Sequence, residues 1–183
     1  MRASLQPLLE AHEPLDATEA EHKRRMLALL AASEDPFSRA HLVPGHFTAS
    51  AFVLSPDARS LLLILHGKLG LWLQPGGHID PDDADVFAAA RREVAEETGL
   101  VDVEADPGLL DLDVHPIPPN PKKGEGPHEH FDVRILLRSR TLEVAPGSDA
   151  KDARWVPIDA VEDAGTDDSV LRAVRRVQAQ LGA

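Results

Sequence analysis

The sequence predicts an α/β (α+β) domain. Helical patterns stand near the start, in the middle and at the end of the chain, stretches of strand character fill the space between them, and apolar residues make up 43% of the composition, enough for a packed core. With 183 residues, this is one domain of ordinary size with an appendage. Residues 1–45 read as an N-terminal helical extension and 46–183 as the main domain.

Asp16 and Glu19 have capping-box spacing, so a helix runs from Ala17 to Ser33 with Leu27, Leu30 and Ala31 on one side, and Glu34-Asp35-Pro36 ends it. Such a helix packs on the domain or offers a surface for a homodimer. Strand character starts at His46 and runs to Leu54, with a turn at Ser55-Pro56-Asp57. Ser60–His66 is a second strand, apolar enough to be buried on both faces, and Leu71–Gln74 is a short third. Pro75-Gly76-Gly77 is expected to break regular structure. A helix follows over Asp83–Thr98, with Gly99 just beyond it where a left-handed terminator is wanted. Leu110, Leu112 and Val114 alternate with Asp111, Asp113 and His115. Phe131, Val133, Ile135 and Leu137 alternate with His130, Asp132, Arg134 and Leu136, and the proline-rich stretch Pro116–Pro127 between them reads as a loop. A strand around Arg154–Val156 and a helix over Asp168–Leu181 complete the chain.

Charge and composition exclude several functions. Asp plus Glu number 31 against 19 Lys plus Arg, a formal charge of −12, which disfavours a nucleic-acid polymer as partner. A small phosphorylated substrate stays compatible, because a metal ion reverses the sign locally. The chain has no cysteine, hence no disulfide, zinc–thiolate site or thiol nucleophile. No segment has the length or apolarity of a signal peptide or a membrane span, so a cytoplasmic protein without membrane attachment is expected.

The chemistry is concentrated between Gly76 and Leu100. On a helix, Glu93, Glu96 and Glu97 share one face, while Phe87, Ala90 and Val94 form a separate stripe toward the core. On a solvated face, three such acids repel one another weakly. In a cleft their repulsion demands a proton or a cation, and a hard divalent ion suits those oxygens. The segment resembles the Nudix box, G-x5-E-x7-R-E-U-x-E-E-x-G-U with U aliphatic: Gly77 opens it, and Arg92, Glu93, Val94, Glu96, Glu97, Gly99 and Leu100 match its second half. Leu71–Asp80 is similar to the strand and loop that precede the box, and Trp155–Asp159 to a late strand of the family. One departure stands out. Fourteen residues separate Gly77 from Arg92 where the pattern has 13, so the box's first glutamate falls on Asp83 counting forward and on Ala84 counting back, with the extra residue expected in the Asp80–Asp85 turn.

The resemblance implies an α/β/α sandwich with a mixed β-sheet and a loop–helix–loop carrying the box. It also implies Mg²⁺ or Mn²⁺ on Glu93, Glu96, Glu97 and the Gly76 carbonyl, with Arg92 holding the glutamates in place. The implied reaction is hydrolysis of a diphosphate linkage in a small-molecule nucleoside diphosphate derivative by a water activated at the metal, with Glu96, Glu97, Glu125 and Glu129 open as bases. The competing class is a Nudix-like module that binds a nucleotide without cleaving it. A second polar group lies outside the box. His128, His130, Asp132 and Arg134 share one strand face, and antiparallel pairing brings Asp111, Asp113 and His115 to the same side. Three uses compete for that face: plain solvation, a substrate pocket in which His115, His128, His130 and Arg134 contact phosphate, and a further metal site.

Overall fold

The computed structural model describes residues 1–147 and 150–182; of the domain span read from the sequence, positions 148, 149 and 183 lie outside the described residues. Four helices, α1 (Arg2–Ala11), α2 (Ala17–Ala32), α3 (Val86–Thr98) and α4 (Asp168–Leu181), pack on one mixed sheet of eight strands. The strands are β1 (Gly45–Leu54), β2 (Ser60–His66), β3 (Trp72–Leu73), β4 (Gly76–His78), β5 (Val103–Ala105), β6 (Asp111–Ile117), β7 (His128–Ser139) and β8 (Ala150–Pro157).

The centre of the sheet is a parallel pair, β1 with β7, in which His46 stands beside His130, Thr48 beside Asp132 and Ser50 beside Arg134. Every other pairing is antiparallel. The free edge of β1 forks: its last residues pair with β2 and its middle residues with β4. On the far side of β7, β6 aligns Asp111 with Arg134, Asp113 with Asp132 and His115 with His130.

Two cores follow from the alternation of side chains across the strands. Phe47, Ala49, Ala51, Val53, Val133 and Ile135 face α1, α2 and α3 through Leu5, Leu9, Met26, Leu29, Leu30, Ala90 and Val94. Phe52, Leu54, Leu61, Leu63 and Leu136 face α4 through Val170, Ala173, Val174 and Val177. Helices thus cover both faces, as the sandwich reading expects. The apolar sides of α1 and α2 are consumed by this core.

The structure corrects several boundaries. Gly76 and Gly77 do not break the backbone order but form β4 with His78, pairing with Ser50, Ala49 and Thr48. Two adjacent residues without Cβ have low strand propensity, yet they fit here because β1 approaches Gly76, and the Glu93 side chain approaches Gly77, too closely for a Cβ. Helix α3 starts at Val86, capped by Asp85, whose side chain accepts the Ala88 N–H, rather than at Asp83. Pro116 lies inside β6 instead of the loop, β5 is an unforeseen strand, and Ala31 is exposed while Met26 and Leu29 take the buried face of α2. Asp16 caps α2 as expected, accepting from Glu19 N at 2.8 Å. Among the described residues, no helix is long and apolar enough to cross a membrane.

Candidate active site

Helix α3 lies against β1 and β4, and Gly99, at φ 69° in the left-handed region, ends it. Its buried positions Val86, Ala89, Ala90, Val94 and Thr98 turn the acidic stripe toward the start of β4. Glu93 folds back over Gly77 so tightly that a Cβ on that glycine would lie 2.7 Å from its carboxylate. The Gly76 N–H donates to Glu97 Oε2 at 2.9 Å. Glu96 points outward, with its side chain 58% exposed.

Arg92 ties this group together. One terminal nitrogen, Nη1, donates to Glu93 Oε1 at 2.9 Å and to Glu96 Oε2 at 3.2 Å, while Nη2 reaches the His78 carbonyl at 2.8 Å and Asp83 Oδ2 at 2.9 Å. Nε donates to Asp83 Oδ1 at 3.2 Å. The forward count from Gly77 is therefore the structurally meaningful one: Asp83 is the acid that fixes the arginine, and the extra residue of the box sits between Asp83 and the first turn of α3. Burial raises the Glu93 pKa above the ordinary glutamate range, the charges of Glu96 and Asp80 add to that, and Arg92 opposes it.

These residues fit a hard divalent cation. A half-buried carboxylate whose ionised form is disfavoured, a second carboxylate on the same backbone turn and a cradle free of Cβ atoms make an oxygen-rich recess. The glutamates do not converge as closely as the histidines described next.

The second polar group forms ordered rungs across β1, β7 and β6. His46, His130 and His115 make the first, Thr48, Asp132 and Asp113 the second, Ser50, Arg134 and Asp111 the third. His78 and His128 flank the first rung, their rings 5.2 and 5.3 Å from that of His46. Burial lowers the pKa of His46, of His78 to about 4 and of His130 to about 2; the neighbouring imidazoles, and Arg39 for His46 and His78, add to it, so the site favours neutral rings.

The third rung is closed to any substrate. Arg134 is 2% exposed and spends its donors on Asp132, Asp111, the Ser169 carbonyl and the Ser169 hydroxyl, at 2.9 to 3.1 Å. Arg172 of α4 clamps Asp111 bidentately at 2.8 and 2.9 Å and reaches Asp113 at 3.0 Å. Burial alone would raise the Asp113 pKa, but the hydrogen bond with His115 and the two arginines hold it far below the ordinary aspartate range. Arg134 is thus part of the domain's ionic interior, whereas His115 and His130 remain at its open end. Two further histidines join the site: His46, at the start of β1, and His78, which follows the glycine pair. The signal was the period-two series His46, Thr48, Ser50, which continues the polar face of β7 once the two strands are neighbours.

The family model of the NUDIX domain matches residues 44–176. The chain belongs to the Nudix family. A probable DHNTP pyrophosphohydrolase of Lactococcus lactis subsp. cremoris (strain MG1363) is 34% identical over 96 residues, 52% of this Nudix chain, which in turn spans about half (55%) of that relative's length. The NUDIX domain of Shewanella oneidensis NrtR, solved with ADP ribose, superposes with a TM-score of 0.57 at 22% identity, covering 90% of this chain and 99% of that one. A C. elegans Ap4A hydrolase gives 0.57 at 16% identity over 74% and 97%. At those identities the two structures establish a shared fold. The α/β/α arrangement and the box on a loop–helix–loop are those of the family.

Proposed function

We propose that this Nudix domain hydrolyses a phosphoric anhydride, the diphosphate linkage of a nucleoside diphosphate derivative. Glu93, Glu96, Glu97 and the Gly76 carbonyl would hold Mg²⁺ or Mn²⁺. The observation that carries the reading is the set of bonds from Arg92 to Asp83, Glu93, Glu96 and the His78 carbonyl, with Glu97 drawn onto the Gly76 amide. A solvated acidic helix face needs no such scaffold, which fixes carboxylates in one geometry before any ligand arrives.

When bound, the ion supplies charge neutralisation of the diphosphate and acidifies a coordinated water. The chain's own residues do the rest. Glu93 and Glu97, anchored on opposite ends of the glycine pair, orient the reacting centre. Glu96, exposed and bonded to Arg92, has the freedom to take a proton from water. His115, His128 and His130, at the open end of the sheet face, border the substrate. Among the other base candidates, Glu129 is paired with Arg25 of α2, and Glu125 sits in the turn bridged to Asn120.

The activities named for relatives, on DHNTP, Ap4A and ADP-ribose compounds, define the panel to be tried. Purified protein with Mg²⁺ is expected to release mononucleotide or phosphate from at least one of them, and Glu97→Gln is expected to release neither. Tight nucleotide binding with no release from any substrate would establish the non-catalytic module instead.

A further inference from the structure

We propose that His46, His78 and His130 form a transition-metal site of their own, separate from the glutamates and suited to Zn²⁺. One ring nitrogen from each histidine lies within 4.8 Å of the others, and among the described residues this is the tightest group of metal-capable side chains. In a filled tetrahedral site, Zn–N bonds of about 2.0–2.1 Å set ligand nitrogens about 3.3 Å apart. Small side-chain rotations close that difference.

The three residues come from three strands that the sheet holds rigidly side by side. His46 on β1 faces His130 on β7 in the parallel register, and His78 on β4 stands opposite Thr48, two residues along β1. Alternation along β4 directs Gly77 toward Glu93 and therefore His78 toward the other face. The two groups occupy opposite sides of one short strand.

An independent feature points to a missing partner. His46 is 1% exposed, and its Nδ1 lies 3.1 Å from the His41 carbonyl. A carbonyl only accepts, so Nδ1 carries the proton and Nε2 presents a lone pair. That Nε2 is buried and has no hydrogen-bond partner. A buried acceptor without a donor costs free energy unless something fills it. A histidine whose Nδ1–H is fixed by a carbonyl and whose Nε2 is bare has the arrangement metal-binding histidines adopt. His128 and His115 share the fixed Nδ1, which lies 2.9 Å from the Gly126 carbonyl in the first and from Asp113 Oδ2 in the second. Imidazole ligands favour Zn²⁺ and its first-row neighbours over Mg²⁺, so the two groups would sort their ions by chemistry. Three protein ligands leave one position for water, for a substrate oxygen or for the nearby His128. His130 would then act as a ligand, and the substrate-facing role would fall to His115 and His128.

The test uses metal alone and reads no turnover, so its failure and that of the hydrolase reading are distinguishable. The full chain, stripped with a chelator, is titrated with Co²⁺ and then Zn²⁺. One equivalent of Co²⁺ should give the intense visible band of a tetrahedral complex, and Zn²⁺ should abolish it. His78→Asn and His130→Ala should each weaken binding at least ~100-fold, while Glu97→Gln retains it. If a histidine variant fails to fold, the wild-type titration decides alone: absence of a tetrahedral band at one equivalent overturns the site. Binding that survives both histidine substitutions, or that vanishes in Glu97→Gln, overturns it too.

Discussion

Asp83 receives the Arg92 guanidinium on both carboxylate oxygens, Nε at 3.2 Å and Nη2 at 2.9 Å, and its side chain is only 8% exposed. The pair closes the turn before α3 onto the residue immediately preceding its first glutamate, Glu93. Asp83, together with the His78 carbonyl, fixes Arg92 where it reaches Glu93 and Glu96. Asp83→Ala is therefore expected to lower kcat by ~10–100-fold through loosened glutamates, with a small loss of stability because the pair is partly solvated. Asp83→Glu should restore part of the rate. Steady-state kinetics beside thermal melts separate this positioning role from a structural one: equal loss of melting temperature and rate would refute it.

Arg134 gives the opposite pattern. Its partners are three aspartates and Ser169, all inside the domain. Removing it leaves three buried carboxylates facing one another, with Arg172 as the remaining arginine on Asp111 and Asp113. Arg134→Leu is expected to destabilise by about 3–5 kcal/mol, in the range seen when one partner of a buried ion pair is deleted. At a temperature where the variant stays folded, KM should be near that of the parent. Urea unfolding and KM measured together check both; a raised KM with unchanged stability would return Arg134 to the substrate surface.

Glu19 links the helical extension to the sheet and supplies a pH dependence. It is fully buried, with His12 Nε2 at 2.6 Å, Arg176 at 2.8 Å and the Leu112 N–H at 3.1 Å. Burial works against its charge, but His12, the Leu15 N–H and Arg176 prevail and pull its pKa from 4.5 to about 2. A depressed carboxylate pKa contributes stability that is fully present above 4.5 and lost as pH falls toward 2; the shift corresponds to about 3 kcal/mol. Stability of the parent should decline through that window, while Glu19→Gln should be less stable at pH 7 and flatter below pH 4.5. Equal acid slopes in the two proteins would exclude Glu19 as the source.

Much of this architecture is legible in the residue order. The register of β6 on β7 follows from two alternating stretches, because a one-residue slip would put Val133 and Leu112 on the polar side. The box glutamates follow from helical spacing. Contacts between distant segments were not legible. Arg134 looks like a phosphate ligand on its strand, and only α4, 35 residues later, reveals that Ser169 and Arg172 already enclose it. His46 joins His130 across a parallel pairing 84 residues apart, which no local pattern encodes. Gly76 and Gly77 look like a loop because glycine signals backbone freedom, whereas here the lack of side chains is what matters.

Neither Gly76 nor Gly77 has a left-handed backbone, so each tolerates a Cβ conformationally and only space decides. At Gly76 a Cβ would stand 2.2 Å from the Ser50 Cβ and 2.5 Å from its Cα, so β4 would have to leave β1. At Gly77 it would meet the Glu93 carboxylate at 2.7 Å, the movable end of a side chain. Gly76→Ala should therefore lower stability by about 1–3 kcal/mol and carry activity down with it. Gly77→Ala should leave the melting temperature near the parent's while turnover falls ~10-fold or more, because the displaced group is one proposed to hold the ion. Thermal melts and turnover with saturating Mg²⁺ on the two variants give a direct contrast. Similar losses of stability in both would mean that Glu93 rests on Gly77 for packing alone, and that the ion is held elsewhere on the helix.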